Sequence, residues 1–581
     1  MQTKKARRFG AACILLLALG VMLRSLFVGL EIDEEYALSL GFRLLTGDRL
    51  FSTMWEPHQL SALTPVPLLA LYRAVTGGTT GVLLFVRAVM LAAKAALAYG
   101  AWRLLRKPLG SAAFWWAVVL FLYTPKWFLG PDYISQQFHY TLAAFLCFAA
   151  YYAPGPRQHA RPAWLVAGAV CSCLSFLAFP QSIAAAPVYA VGMAVLGAKG
   201  GEARLWRIPR GAVWYFGSCC VCGLAFVAWV LPGLGPVGLV QRALLILSDP
   251  QYNFTTAQRM AQLAAQAWDV AKFLARPALL ALAATALWQW RQPAAPARVV
   301  ERALWLFAAA VLAFCSVYAL RGSSLDLRHF CPVVTLAGGV TFWLDRREEQ
   351  HAALRRVLFW LGWLPGVAAY AVILRSTLLG LAPTFMYLSW PALCGVAALA
   401  LRGGQEKDTA PRRMATAILL LWTLFLAVCR LFLVQTTGWK PHDIFDTPLK
   451  QITAGPACGI WADETAADMQ QALVLALEPY AGQQVAQAIG EVHGLGFLAA
   501  DGTLRVGQAS VISGTDSDPR FEQYYEEMPE KLPAVILYDD HEVRDLQAYH
   551  AWLEEHLAIA ERYGVQYGTA SLQVLVVDGW R

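Results

Sequence analysis

The chain has 581 residues, of which 58% are hydrophobic and only 15% charged, and its mean hydropathy is +0.46. A soluble chain of this size carries more charge and less apolar surface, so a soluble globular protein is excluded. The net charge of +8 does not point to nucleic acid, because the basic residues fall between apolar runs long enough to cross a bilayer.

The N-terminus is basic, with Lys4, Lys5, Arg7 and Arg8, and an apolar run over residues 11–30 follows. No small-residue cleavage site precedes Glu31, so this run reads as a retained first span, with the N-terminus cytoplasmic. The acidic stretch Glu31-Ile32-Asp33-Glu34-Glu35-Tyr36 then lies outside. Residues 37–49 have apolar side chains at helical spacing. Residues 60–75 are apolar but short and hold Pro65 and Pro67, which suits a juxtamembrane helix better than a span. Further spans are predicted over 80–102, 111–123, up to 152, 163–179, 182–196, 212–231 and 270–290. The last ones end near 320 and 344 or cover 357–373, 385–401 and 415–434. Between them the basic segments 103–107, 154–161, 199–210, 291–302, 345–356 and 402–413 alternate with basic-poor turns. That alternation predicts about thirteen spans and a C-terminus outside. The segment 233–268 reads as a long outer connection, in which Asp249 to Asn253 suits either a lid or a plain loop. Asn253-Phe254-Thr255 matches a glycosylation acceptor pattern, which three residues often do by chance.

From residue 436 the composition turns polar and acidic. An amphipathic helix is predicted over 465–478, stopped by Pro479, with buried strands over 534–538 and 571–577 and a helix over 543–563 between them. The expected organisation is therefore a membrane part, residues 1–435, with a first outer loop at 31–60, and a small extracytoplasmic α/β domain, residues 436–581. The 12 cysteines sit almost entirely in apolar runs, where they act as small hydrophobes. Cys458 stands alone in the tail, which leaves no partner for an internal disulfide there. No zinc-ligand spacing, Walker, Rossmann or His-Glu-x-x-His pattern occurs, so neither a metal nor a cofactor is expected.

Four carboxylates at the edge of a membrane span are costly unless they face water or work there. A carboxylate there can take the proton of an attacking hydroxyl, and nearby cations can hold a departing phosphate. The alternative is a solvated acidic loop that helps topology. An N-terminal span ending in an acidic pair, a long outer loop with a surface helix, and many further spans resemble the GT-C superfamily of membrane glycosyltransferases. That group includes the protein O-mannosyltransferases and the aminoarabinose transferases of lipid A. The stretches Ile32-Asp33-Glu34-Glu35-Tyr36, Leu44-Leu45-Thr46-Gly47-Asp48 and Trp55-Glu56-Pro57-His58-Gln59-Leu60-Ser61 are similar to those of uncharacterised bacterial members.

The resemblance implies a catalytic base at Asp33 with Glu34 beside it, while Glu31 and Glu35 read as solvated bystanders. It implies a second acidic loop residue at Asp132 in Gly130-Pro131-Asp132-Tyr133. Leu327-Arg328-His329-Phe330-Cys331-Pro332 resembles a family pattern that opens a late span with Arg, although His329 stands where an aromatic residue is usual and the Pro comes one residue early. Arg328 then reads as a phosphate ligand, against a snorkelling arginine. His329 and Lys126 are further phosphate candidates, and Lys126 between Pro125 and Trp127 also suits an interfacial anchor. His58, with Gln59, Glu56 and Asp132, is a candidate for acceptor or carrier binding. Arg87 and Lys94 share a helix face and read as structural, either turned toward the bundle interior or snorkelling.

The expected fold is a polytopic α-helical membrane protein, GT-C-like, with a small C-terminal α/β domain. The expected activity is sugar transfer from a polyprenyl-phosphate donor to a cell-envelope glycan, lipid or protein hydroxyl at the outer face of the cell membrane. The competing readings are a transporter or flippase of lipid-linked saccharides, which the lack of an internal repeat disfavours, and a non-catalytic envelope assembly protein.

Overall fold

The computed structural model describes the chain except residues 1, 57, 154–160, 201, 203, 206–207, 248–254, 323–326, 345–350, 378, 403–409, 437–440, 483, 488–494, 496–497, 500–504, 507–519 and 540–546. The segment Asp249 to Asn253 and parts of four basic connections therefore lie outside the described residues.

Helices dominate. In chain order the first part comprises α1 (Gln2–Phe27), α2 (Ile32–Leu45), α3 (Pro65–Thr76), α4 (Val82–Leu109), α5 (Ala112–Leu122), α6 (Tyr133–Tyr152), α7 (Ala163–Ala178) and α8 (Ala185–Gly200). It continues with α9 (Arg210–Val230), α10 (Gly235–Leu247), α11 (Thr256–Arg291), α12 (Pro296–Leu320) and α13 (Phe330–Leu344). Two composite helical spans, Ala352–Ser376 and Leu381–Arg402, and the helix Ala410–Phe432 close the bundle. Among the described residues nine helices are long and apolar enough to cross a membrane, with four shorter apolar ones beside them. The molecule is a multi-pass membrane protein.

The count differs from the thirteen expected, for physical reasons. Ala112–Leu122, Ala163–Ala178 and Phe330–Leu344 are shorter than the ~20 residues a hydrocarbon core needs. The helix Tyr133–Tyr152 begins with Ser135, Gln136, Gln137 and His139, which dilutes its apolar content. The segment read as one outer connection is instead two helices: α10, and α11, which starts at Thr256 behind a Thr255–Gln258 capping box and runs 36 residues. Exposed leucines on α1 (Leu15, Leu16, Leu19) and aliphatic and aromatic residues on α9 (Val221, Leu224, Trp229) fit a lipid-facing surface.

Helix α2 is not a surface helix. Its residues from Asp33 to Arg43 are buried. Leu38 and Phe42 share an apolar cluster with Leu83 and Val86 of α4, and with Ile460, Ala466 and Leu473 from beyond residue 435. Gly41 permits the close crossing of α2 and α3: a Cβ there would sit 2.9 Å from a Pro65 ring carbon.

Beyond the bundle lies a five-stranded sheet in the order Leu557–Tyr567, Ala570–Trp580, Val535–Asp539, Gln484–Gln487, Arg505–Val506. The first two pairings are antiparallel and the last two parallel. The amphipathic helix Glu464–Leu477, capped by Asp463, packs on it. The helix expected up to residue 563 stops at His556, and Leu557–Tyr567 is a strand. Gly568, at φ +53°, makes the turn into Ala570–Trp580, and a tight turn between two β-prone runs selects a hairpin over a helix. Polar contacts also join this region to the first loop. Arg43, fully buried, bonds Asp48 at 2.6 Å, Thr53 O at 2.7 Å and Tyr524 Oη at 3.2 Å, and pairs with Glu56.

Candidate active site

The acidic run occupies the N-terminus of α2. Glu31 is the N-cap: its Oε2 accepts from the Asp33 backbone N–H at 2.8 Å. Carboxylates in a first helical turn offset the positive end of the helix dipole, which accounts for their local tolerance. Successive helical residues point ~100° apart, so Asp33, Glu34 and Glu35 face three different neighbours.

Asp33 meets Lys126. The connection between α5 and α6 carries Lys126, whose Nζ forms an ion pair with Asp33 Oδ2 and lies 3.8 Å from Glu31 Oε1. The same ammonium stands 5.2 Å from the Tyr133 ring centroid. Trp127, next along, holds a left-handed φ of 56°, a strained conformation that persists only where its surroundings enforce it.

Beside this pair opens a cavity of about 830 Å³. Its charged and polar lining includes Lys126, Arg328, His329, Arg276, Glu31, and Lys272 paired with Asp269 at 2.7 Å. Val270, Phe273, Phe314, Leu381 and Met386 contribute apolar wall. Arg328 donates to Pro125 O at 2.6 Å. His329 packs against the Phe273 ring, centroids 4.5 Å apart. Of the sequence candidates, the structure thus gathers Lys126, Arg328 and His329 on one cavity, with Asp33 held against it by Lys126.

Glu34 goes elsewhere. It is fully buried and forms a two-point pair with Arg87: Nε to Oε1 at 2.7 Å and Nη2 to Oε2 at 2.5 Å. Arg87 also donates to Leu26 O at 3.1 Å and Gly29 O at 2.8 Å. A Cβ at position 130 would collide with the Glu34 carboxylate, so only glycine fits there. Glu35 is buried as well and accepts from Gln470 Nε2 at 3.1 Å. Burial pushes the Glu35 carboxyl well above its usual range. Glu31, packed against Lys126, and Glu35, held by Gln470, are both buried and therefore not solvated bystanders. Burial raises Glu31 to about 7, with Lys126 opposing the rise and Asp132 and Glu34 adding to it.

The remaining candidates are structural in their contacts. Asp132 caps α6, accepting from the Ile134 and Ser135 N–H groups at 2.9 and 3.1 Å. Glu56 is held by Arg43. Gln59 accepts from the Phe51 N–H at 2.7 Å and donates to Glu56 O at 3.2 Å. His58 stacks on Tyr133, centroids 3.8 Å apart and 2° from parallel, and burial lowers it to about 4. It is neutral near pH 7 and brings no positive charge to a phosphate. None of these four lines the cavity.

Sequence reading passed over Lys272 and Arg276. Their signal was available: with Asp269 they recur at spacings of three and four on one helix face. Among the described residues no group of three or more His, Cys, Asp or Glu is placed to hold a metal.

No family model matches the chain, and no curated protein matches it. Solved structures similar to it include ArnT from Cupriavidus metallidurans bound to undecaprenyl phosphate, at 13% identity over 97% of both chains with a TM-score of 0.43. The apo form of that protein matches at 12% identity over 98% of both chains, TM-score 0.40. The archaeal oligosaccharyltransferase AglB from Archaeoglobus fulgidus, in complex with an inhibitory peptide and a dolichol-phosphate, matches at 12% identity. There the match covers 97% of this chain and 74% of the other, with a TM-score of 0.46.

Proposed function

We propose that the protein is a glycosyltransferase that moves a sugar from a polyprenyl-phosphate donor to a hydroxyl of a cell-envelope acceptor at the outer face of the membrane. The observation that carries this reading is the Asp33–Lys126 ion pair at a cavity that combines apolar wall with Lys126, Arg328, Lys272 and Arg276. A prenyl chain needs the first and a phosphate the second.

In this mechanism the donor phosphate enters among Lys126 and Arg328. Asp33 takes the proton of the acceptor hydroxyl. The acceptor oxygen forms a bond to the anomeric carbon as the carbon–oxygen bond to phosphate breaks, and that electron pair stays on the phosphate. Attack opposite the leaving group inverts the anomeric centre. Lys126 and Arg328 stabilise the charge that grows on the leaving oxygen, where preorganised cations lower a barrier most. The region 436–581, read as an extracytoplasmic domain, covers the catalytic turn and faces the acceptor.

Mass analysis of envelope glycans tests this reading. Cells lacking the protein lose one glycan modification, the wild-type gene restores it, and Asp33→Asn expressed at the wild-type level does not. Loss of a general base costs ~10²–10⁴-fold in rate. An unchanged glycan profile in the Asp33→Asn strain removes Asp33 from the chemistry.

A further inference from the structure

Two buried cations of the bundle have no place in that mechanism: Lys94 on α4 and Arg430 on the helix Ala410–Phe432, 2% and 3% exposed. A cation at membrane depth is expensive and is retained where it serves function or essential structure. Most of their partners fall on one short stretch; outside it Arg430 Nη1 donates to Ser25 Oγ of α1 at 2.9 Å, and Lys94 Nζ lies 3.4 Å from His139 Nε2. Arg430 donates through Nε to Leu122 O at 2.9 Å, through Nη2 to Thr124 Oγ1 at 2.6 Å, and through Nη1 to Trp127 O at 3.3 Å. Lys94 donates to Tyr123 O. Arg328 takes Pro125 O at 2.6 Å. The Tyr123 hydroxyl is fixed between Met386 O, 3.1 Å, and Ser389 Oγ, 2.6 Å.

Cations from two helices and from the turn that precedes α13 thus hold the backbone on both sides of Lys126. The carbonyls of Leu122 and Tyr123 belong to the C-terminal end of α5, where cations offset the orphan acceptors and the negative pole. Trp127, at φ 56°, turns the chain directly after Lys126, and the Arg430 bond to its carbonyl stabilises that turn. A lysine side chain is a flexible point charge, and it meets Asp33 and the cavity together only if its backbone is fixed.

We infer that Arg430 is a positioning residue for Lys126: its three-armed grip on Leu122, Thr124 and Trp127 sets where the Lys126 ammonium stands, and so sets the affinity for the donor phosphate. This rests on the donor reading given above for its ligand, but not for its geometry.

The test uses purified full-length protein in detergent, with undecaprenyl phosphate as the titrant and four forms: Arg430→Gln, Arg430→Lys, Lys126→Met and the double variant Arg430→Gln/Lys126→Met. Arg430→Gln is expected to weaken binding by about tenfold, as a lost charge-assisted network does. Arg430→Lys restores the charge but not the planar fork, so it stays weakened. In the Lys126→Met background, Arg430→Gln adds nothing, because coupled residues are non-additive. Additive losses, or full rescue by Arg430→Lys, overturn the inference. Where Arg430→Gln does not fold, Thr124→Val removes one arm of the grip and is expected to weaken binding about threefold, again only with Lys126 present.

Backbone amide exchange supplies a readout without ligand. Exchange over residues 124–129 is expected to accelerate in Arg430→Gln while α12 and α13 keep their protection; unchanged protection over 124–129 overturns the inference. Accelerated exchange there, with no undecaprenyl phosphate binding by the wild type, upholds the grip and overturns the donor reading instead.

Discussion

Asp33 and Glu34 are adjacent in sequence, both carry a carboxylate, and both face a cation, yet their surroundings differ. Glu34 and Arg87 have side chains with 0% exposure, and the guanidinium is also held by the carbonyls of Leu26 and Gly29. The Asp33 and Lys126 side chains each keep 11% exposure, and Lys126 lines the large cavity. Arg offers a rigid fork that saturates a carboxylate, and Lys a point charge on a flexible stem. The first pair is built to stay closed, and the second pair is placed where a phosphate can compete for the lysine. On the proposed reading, two neighbouring acids divide between holding this helical turn and carrying the chemistry.

The largest effect comes from breaking the closed pair. Arg87→Ala leaves Glu34 buried without its cation, which costs about 3–5 kcal/mol, and the expected outcome is loss of folded protein in detergent by size-exclusion profile. Normal yield and a normal thermal midpoint would show that the Glu34 pair carries no structural weight.

Glu31 sharpens the comparison through pH. Its ordinary value of 4.5 rises to about 7 in the fold, with burial as the largest cause. The native state therefore holds the Glu31 proton more tightly than the unfolded chain. Stability falls as pH rises from about 4.5 to about 7 and is flat above, by up to about 3 kcal/mol from this group. Glu31→Gln removes that component, so its thermal midpoint gains on the wild type as pH rises through this window. A difference that stays constant across the window would exclude Glu31 as a titrating group.

A smaller effect is expected at the far side of the same helical turn. Gln470→Leu leaves the buried Glu35 without its amide donor, at about 1–2 kcal/mol. The thermal midpoint of the full chain is lowered by a few degrees, and a double variant with Glu35→Leu recovers most of the loss.

The membrane part was readable because apolar run length and basic-loop alternation are one-dimensional signals. The acidic turn was readable as a candidate site because charges beside a span are rare. The division of labour inside it was not. Arg87 lies far from Glu34 in sequence, and only the crossing of α2 and α4, with Gly130 beside the carboxylate, shows which acid is consumed. Glu31 and Glu35 read as solvated because nothing local reveals that Lys126 packs on the first and Gln470 on the second. His58 is of a residue type that can hold a phosphate, but the structure stacks it on Tyr133 away from the cavity. Arg328 was legible as a cation opening a late span, whereas Lys272 and Arg276 were lost inside a helix whose start was placed too late.

The most direct measurement compares Asp33→Asn and Glu34→Gln as purified full-length proteins, matched by folded content, in release of polyprenyl phosphate from a polyprenyl-phosphate-linked sugar mixture with a cell-envelope extract supplied as acceptor. The division of roles requires Asp33→Asn to fold like the wild type and lose release by ~10²-fold or more, while Glu34→Gln loses folded yield but keeps most activity per folded molecule. Wild-type release by Asp33→Asn, or an inactive but normally folded Glu34→Gln, would contradict it.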